Sequence, residues 1–160
     1  MEQSPIRIRQ ATSEADFDAV RALISAYATS LGIDLSFQGF DAEMAAALPG
    51  PYALPAGALL MAEEADGTVV GCVAMRPMEG TTCEMRRLYV TPAGRRHGAG
   101  RALVGEVIAS AREHGYTRMR LDTLPDMAGA LSLYRAAGFK QVKPYYDSPI
   151  PGMLFFQLDL

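Results

Sequence analysis

The hydrophobic positions of this chain follow strand alternation in some segments and helical spacing in others. Segment 6–9 alternates apolar and polar residues and predicts a short strand. A helix is predicted to open at Ser13, to carry an apolar stripe, and to end near Gly32. The loop over 34–55 that follows contains a predicted short helix over 41–48.

Three further strands are predicted in the middle of the chain. Segments 58–63 and 68–76 are joined through Asp66-Gly67, a dipeptide typical of hairpin turns. A turn at Glu79-Gly80 leads into a third run over 83–90. Tight turns between consecutive strands predict an antiparallel meander.

The pattern changes after this meander. Segment 100–114 carries an apolar stripe at helical spacing, 117–123 alternates as a strand, and 127–137 predicts a second amphipathic helix. Segment 153–160 predicts a last strand. Strand, loop, helix and strand in this order predict a parallel pair with a crossover, so the fold class is α+β with a mixed sheet.

Composition narrows the class of protein. The chain has 160 residues, 49% hydrophobic and 21% charged, which is typical of one soluble globular domain over 1–160. The net charge of −3 argues against a general nucleic-acid binder, because phosphate affinity requires clustered basic residues. No apolar run reaches the roughly 18–20 residues of a membrane span, and the start lacks a signal peptide. We therefore expect a cytoplasmic protein that does not bind membranes.

The cysteines and histidines predict no metal site. Cys72 and Cys83 form no CxxC motif, and two histidines cannot complete a zinc set. We expect both cysteines to be small buried side chains in a reducing compartment.

The loop over 90–101 carries the clearest chemical signal. Its glycines and the helix start that follows would turn backbone N–H groups toward an anion. A Walker loop needs Gly-Lys, which is absent, and a dinucleotide fingerprint needs glycine where Leu103 stands. The alternative is a solvated basic loop without a ligand. Four basic residues crowd the turn and repel one another unless an anion binds: Arg95, Arg96, His97 and Arg101.

Two motifs together resemble the GNAT family of N-acetyltransferases. The first is Arg95-x-x-Gly98-x-Gly100 after a strand that ends in Leu88-Tyr89-Val90. The second, LYRAAGF over 133–139, follows about 35 residues later. The resemblance covers the full length. It implies a twisted, mostly antiparallel sheet of about six to seven strands with about four helices.

The resemblance also implies acetyl-CoA as the co-substrate. The main chain of Leu88, Tyr89 and Val90 would pair with its pantetheine arm, and the Val90 N–H would polarise the thioester carbonyl. Family members often have Asn where Met127 stands, and a thioether cannot donate the hydrogen bond of that amide. Seven residues would bind the pyrophosphate: Arg95, Arg96, His97, Gly98, Ala99, Gly100 and Arg101.

The implied reaction is direct attack by an amine on the acetyl carbonyl, without an acyl-enzyme. Tyr134 matches the family's general acid, and its alternative role is that of a core tyrosine. Glu84 is the candidate base, and in an unbulged strand it shares a face with Val90. A bulge would change this relation, and the alternative for Glu84 is an ion pair with Arg76 or Arg86.

The acceptor side is predicted by position in the resembling family. Gln38, Tyr145 and Tyr146 are the candidate substrate-binding residues, and packing is the alternative role of the two tyrosines. The predicted function is transfer of an acetyl group to an amine of a small molecule or peptide. The alternatives are a non-catalytic coenzyme A sensor and a protein-interaction domain, and the last strand could pair across a homodimer.

Overall fold

A computed structural model describes residues 6–31, 50–124, 128–148 and 151–160. The predicted short helix over 41–48, Gln38 and Met127 lie outside these residues. The described strands are β1 (Arg7–Gln10), β2 (Ala58–Glu63), β3 (Val69–Pro77), β4 (Thr82–Val90), β5 (Arg118–Thr123), β6 (Lys140–Val142) and β7 (Leu154–Asp159). The described α-helices are α1 (Glu14–Leu31), α2 (Pro92–Arg96), α3 (Ala99–Glu113) and α4 (Ala128–Ala136), and Gly50–Tyr52 forms a 3-10 turn.

The strands form one seven-stranded sheet with the order β1-β2-β3-β4-β5-β7-β6. All neighbouring strands are antiparallel except β4 and β5, which are parallel. The α+β class, the central meander and the parallel pair are therefore confirmed. Two elements were not predicted, β6 and α2. β6 is three residues long, too short to show an alternation.

The two faces of the sheet pack against different helices. Along β2, Ala58, Leu60 and Ala62 join the core formed with α3 and α4, whereas Leu59 and Met61 join the core formed with α1. This alternation is the side-chain period of a strand covered on both faces. The candidate site lies around the segment between β4 and α3, on the sheet face that packs against α3 and α4. It also includes residues on the face that packs against α1.

A network of buried charges joins β1, β2 and α1. The Arg9 guanidinium lies 2.7 Å from Oδ1 of Asp16 and 2.7 Å from Oε1 of Glu63, and both carboxylates are buried. Hydrogen bonds from Arg9 hold the pKa of Asp16 and of Glu63 below their usual ranges. The paired guanidinium offsets the cost of removing these two carboxylates from water.

This network predicts acid sensitivity. A carboxyl whose pKa is lowered on folding stabilises the protein above its unfolded pKa, and this contribution is lost as the pH falls. We expect the free energy of unfolding in urea to fall between about pH 4 and pH 2, and Asp16→Asn to remove about 2 kcal/mol of this pH dependence. An Asp18→Asn variant is the control, because that carboxylate is largely exposed. Equal pH dependence in Asp16→Asn and the wild type would contradict the prediction.

Candidate active site

Strands β4 and β5 are paired over only three positions. Thr82, Cys83 and Glu84 pair with residues 118–120, while β5 continues along β7 as far as Thr123. Beyond Glu84, the edge of β4 that faces β5 has no strand partner in the described parts of the chain. The sheet therefore opens between β4 and β5 beyond the Glu84–Arg120 pair.

A bulge at Arg87 lies in this unpaired part of β4. Tyr89 pairs with Cys72 and Arg86 pairs with Ala74, so β4 contains one extra residue between these pairs. Arg87 has φ 58°, a left-handed conformation that is uncommon outside glycine. The Cys72 thiol donates a hydrogen bond to the Arg87 carbonyl at 3.3 Å, which holds the bulge against β3.

The bulge reverses the side-chain faces along β4. Met85 and Val90 both contribute to the core beneath α3, although an odd number of positions separates them. Glu84 alternates with Met85 and lies on the opposite face, beside Arg86. An unbulged strand would place Glu84 and Val90 on the same face of the sheet. The structure corrects this expectation, because the bulge places them on opposite faces.

The loop after β4 contains the short helix α2. Thr91 caps it, because its hydroxyl accepts a hydrogen bond from the Gly94 N–H at 3.1 Å, and Pro92 occupies the first turn. Thr-Pro at the start of a helix is a recognised capping signal, so the sequence contained the information for α2. Arg95 and Arg96 lie in its last turn and are exposed.

The helix α3 begins directly after this turn. Gly98 adopts φ 74° at its N-cap and offers no side-chain acceptor to the first N–H groups of the helix. Arg101 is exposed in the first turn of α3, so three arginines surround a helix N-terminus that already carries partial positive charge. His97 differs from them because its Nε2 lies 4.0 Å from the Glu64 carboxylate. This arrangement favours an anionic ligand.

Two glycines allow the close packing of this region. A Cβ on Gly100 would lie 2.9 Å from Cδ1 of Leu133, so the first turn of α3 contacts α4, which carries Tyr134. A Cβ on Gly94 would lie 2.7 Å from the Val70 carbonyl oxygen. Glycine is therefore required for steric reasons at Gly94, whereas at Gly100 the flexible end of the Leu133 side chain could shift to admit a Cβ.

Gly94→Ala is expected to lower the free energy of unfolding by about 1–3 kcal/mol, because a backbone carbonyl cannot move aside for the new methyl group. The matched control is Gly105→Ala, within α3, where an added Cβ meets nothing within 4 Å. That variant should gain about 0.5–1 kcal/mol from the helix preference of alanine. Urea unfolding measures both changes, and equal effects of the two substitutions would refute the steric argument.

Tyr134 is buried on the same side of the sheet as Val90. Its ring contacts Phe139 edge-on with the centroids 5.9 Å apart, and it lies 6.4 Å from the Phe156 ring. Tyr134 and Val90 belong to one core, which includes the start of α3. The predicted acid and the predicted pyrophosphate loop are thus brought together by α3 and α4.

Glu84 is buried within a set of hydrogen-bond donors. Its Oε1 accepts from Arg76 Nε at 2.9 Å and from Arg86 Nη1 at 3.1 Å, and its Oε2 accepts from the Tyr145 hydroxyl at 2.8 Å. Both ion pairs considered as alternatives are therefore present. The structure also joins the predicted base to a residue predicted to bind the acceptor.

The two tyrosines between β6 and β7 connect to both sides of the opening. Tyr145 donates to Glu84 on β4, and Tyr146 donates to Oδ2 of Asp122 on β5 at 2.6 Å. Both rings pack edge-on against Phe155. Burial first, and then the Glu84 and Asp122 charges, raise the pKa of Tyr145 far above its usual range, so this hydroxyl remains a donor.

Sequence reasoning missed Asp122 and Arg120 as members of the site. The sequence signal that could have identified them is the alternation of β5. Met119 and Leu121 enter the core, and the alternating polar residues Arg120 and Asp122 occupy the other face. That alternation identifies the polar face of the strand, but the residues that this face meets belong to distant segments of the chain.

The thiols are unsuited to nucleophilic catalysis. Cys72 and Cys83 are free and buried, as expected, and burial raises the pKa of each thiol to about 12. A thiol with this pKa is protonated at neutral pH and is a poor nucleophile.

Among the described residues, no group of three or more His, Cys, Asp or Glu side chains could hold a metal ion. No helix in the described ranges is long and apolar enough to cross a bilayer.

Comparison with known proteins identifies the family. A profile of the acetyltransferase (GNAT) family matches residues 21–139. An uncharacterized N-acetyltransferase of Schizosaccharomyces pombe is 39% identical over 161 residues, covering 100% of this chain and 98% of that protein. A GNAT-family acetyltransferase structure from Staphylococcus aureus has a TM-score of 0.79 at 17% identity, covering 97% of this chain and 99% of that one.

A second solved structure, of a Salmonella typhimurium protein with its cofactor acetyl-CoA, has a TM-score of 0.70 at 24% identity. It covers 98% of this chain and 94% of that one. The open sheet and the strand-to-helix loop define an acetyltransferase fold. The chain belongs to the GNAT family of acetyltransferases. Its enzyme class is N-acetyltransferase, and the family resemblance and fold class inferred from the sequence are confirmed.

Proposed function

We propose that the protein transfers the acetyl group of acetyl-CoA to an amine by direct attack, with no acyl-enzyme. The observation that carries this proposal is the opening between β4 and β5, followed along the chain by the α2–α3 turn and by the N-terminus of α3, which has no side-chain cap. The β4 edge along the opening suits an extended amide-containing arm, and the helix start suits the pyrophosphate at the other end.

The residues of the α2–α3 turn fit this ligand. Arg95, Arg96 and Arg101 are exposed cations, and Gly98 leaves the first N–H groups of α3 open to an anion. We assign the pyrophosphate to this turn, which also includes His97, Ala99 and Gly100. When bound, acetyl-CoA supplies the activated acetyl group. The main chain of Leu88, Tyr89 and Val90 holds its pantetheine arm, beyond the bulge at Arg87.

Three groups of the protein carry the chemistry in this proposal. The Val90 N–H donates to the carbonyl oxygen as negative charge develops there. The Tyr134 hydroxyl gives its proton to the sulfur that leaves. Glu84 takes the proton from the amine, directly or through water, because its Oε2 has a second lone pair beside the Tyr145 hydrogen bond. Tyr145 and Tyr146 line the acceptor side.

Isothermal titration with acetyl-CoA, coenzyme A, ATP and NAD tests the binding part of this proposal. We expect micromolar affinity, about −8 kcal/mol, selective for the two coenzyme A ligands. An Arg95→Gln, Arg96→Gln double variant should weaken that affinity, and an Arg112→Gln variant on the exposed side of α3 is the matched control. Absence of binding would reject the proposal.

Release of free thiol in the presence of acceptor amines tests the catalytic part. Turnover above the rate of hydrolysis supports acetyl transfer to an amine, and substitutions at Tyr134 and Glu84 test the roles of these residues. Selective binding of acetyl-CoA without turnover across a broad amine panel would favour the alternative of a coenzyme A sensor.

A further inference from the structure

A row of polar side chains crosses the sheet beside the opening, on the face that carries Glu84. Arg76 on β3 pairs in register with Glu84 on β4, which pairs with Arg120 on β5. Arg120 pairs in turn with Gln157 on β7, and Gln157 pairs with Lys140 on β6. Cross-strand partners share a face, so these five side chains form one line. The Glu84–Arg120 pair is the last before β4 and β5 separate.

Arg76 and Arg120 are held in place by contacts that, within the described ranges, use only some of their N–H donors. Arg76 contacts Oε1 of Glu84 through Nε and Nη2, each at 2.9 Å, and its side chain is 35% exposed. Arg120 donates from Nε to Gln157 at 3.2 Å, and its guanidinium lies over the Tyr145 ring, 5.4 Å from the centroid. A guanidinium has five N–H donors, so both residues can bind a further acceptor.

Among the residues that the structure describes, the charges of this face do not balance. The row contains three cations, Arg76, Arg120 and Lys140, and one carboxylate, Glu84. In the adjacent row, Arg86 faces Asp122 across the opening, and the two charges offset each other. Glu79 lies 3.8 Å from Arg120, but its side chain is 85% exposed, so this ion pair is largely screened. Positive charge therefore remains on ordered arginines next to the opening.

We propose that the acceptor amine carries a carboxylate and that Arg76 and Arg120 bind it, so the substrate class is the free amino acids. This inference rests on the acetyl transfer proposed above. A guanidinium presents two parallel N–H groups that match the two oxygens of a carboxylate, and Arg76 and Arg120 flank Glu84 on its two neighbouring strands. The row borders the opening at its closed end and contains Glu84, the proposed base, so a carboxylate bound there lies on the acceptor side of the site.

The test compares amino acids with their carboxamides, which have the same amine but no negative charge. Acetyl-CoA binding is measured first, by titration calorimetry on the full chain. Thiol release is then measured for each acid and amide pair. We expect at least one acid to exceed its amide in kcat/KM by about tenfold or more, the loss typical of a hydrogen bond to a charged group.

Substitutions in the row test whether Arg76 and Arg120 cause the preference for the acid over the amide. Arg76→Gln and Arg120→Gln should each lower kcat/KM for the acid by about 10- to 100-fold, mainly through KM, and bring acid and amide closer together. Neither should change the Kd for acetyl-CoA. Arg112→Gln removes a charge from an exposed site on α3, across the sheet, and should leave the preference intact.

Three results would overturn the inference while acetyl-CoA still binds. These are amides that react as well as acids, no reaction with any acid, and an acid preference that survives in the Arg76→Gln, Arg120→Gln double variant. Failure of acetyl-CoA to bind would be a different result, because it rejects the proposed acetyl transfer itself and this inference with it.

Discussion

Tyr134→Phe is expected to lower kcat by about 10²- to 10³-fold and to leave the Kd for acetyl-CoA unchanged. The substitution removes one hydroxyl, the group we assign to proton donation toward the leaving sulfur. It retains the ring, which packs against Phe139 and Phe156 in the core beneath α3. Steady-state thiol release gives kcat, and calorimetry gives the Kd.

A matched control separates chemistry from packing in this experiment. Tyr116→Phe also removes a tyrosine hydroxyl, one that donates to the Ala56 carbonyl at 2.6 Å away from the opening. That variant should retain its turnover. Parallel losses of turnover, affinity and thermal stability in Tyr134→Phe would show that Tyr134 acts only as a core residue.

Glu84→Gln is expected to lower the free energy of unfolding by about 3–5 kcal/mol, as is usual when one member of a buried ion pair is neutralised. The Arg86 side chain is only 7% exposed and would keep its charge without this counter-ion. If Glu84 is the base, the acidic limb of the pH–rate profile should also disappear. Urea unfolding and the pH dependence of kcat/KM measure the two effects.

The two readouts have different controls. Glu106→Gln changes an exposed carboxylate on α3 and should alter neither stability nor rate. Arg76→Gln leaves the Glu84 carboxylate charged and bonded to Arg86, so it retains a base in a well-folded protein. An unchanged pH–rate profile in Glu84→Gln would reject the base assignment, even if the stability falls as expected.

Local signals predicted most of the fold. The apolar stripe of α3, the alternation of β5 and the Asp66-Gly67 turn each depend on neighbouring residues, and each element is found within two residues of its predicted bounds. Such signals are readable because burial acts separately on every turn of a helix and every second residue of a strand. The family resemblance was equally local, since both motifs are short.

The details of the site depend on contacts between distant segments. The hydrogen bond between Tyr145 and Glu84 joins residues 61 positions apart, and no local sequence pattern predicts it. The bulge at Arg87 contains neither glycine nor proline, and its carbonyl is bonded to Cys72, fifteen residues away. The register of β3 against β4 places this bulge, so the side-chain period alone gave the wrong face for Glu84.

The three residue pairs between β4 and β5 have a consequence for the cooperativity of the protein. They and the hydrogen bond from Tyr145 to Glu84 link β5, β7 and β6 to the other four strands within the described sheet. The hydrophobic core beneath α3 and α4 also spans both halves of the sheet, so these few contacts permit local opening between β4 and β5 rather than separation into subdomains. A ligand seated in the opening adds contacts to both halves, and it should therefore raise the free energy of this local opening.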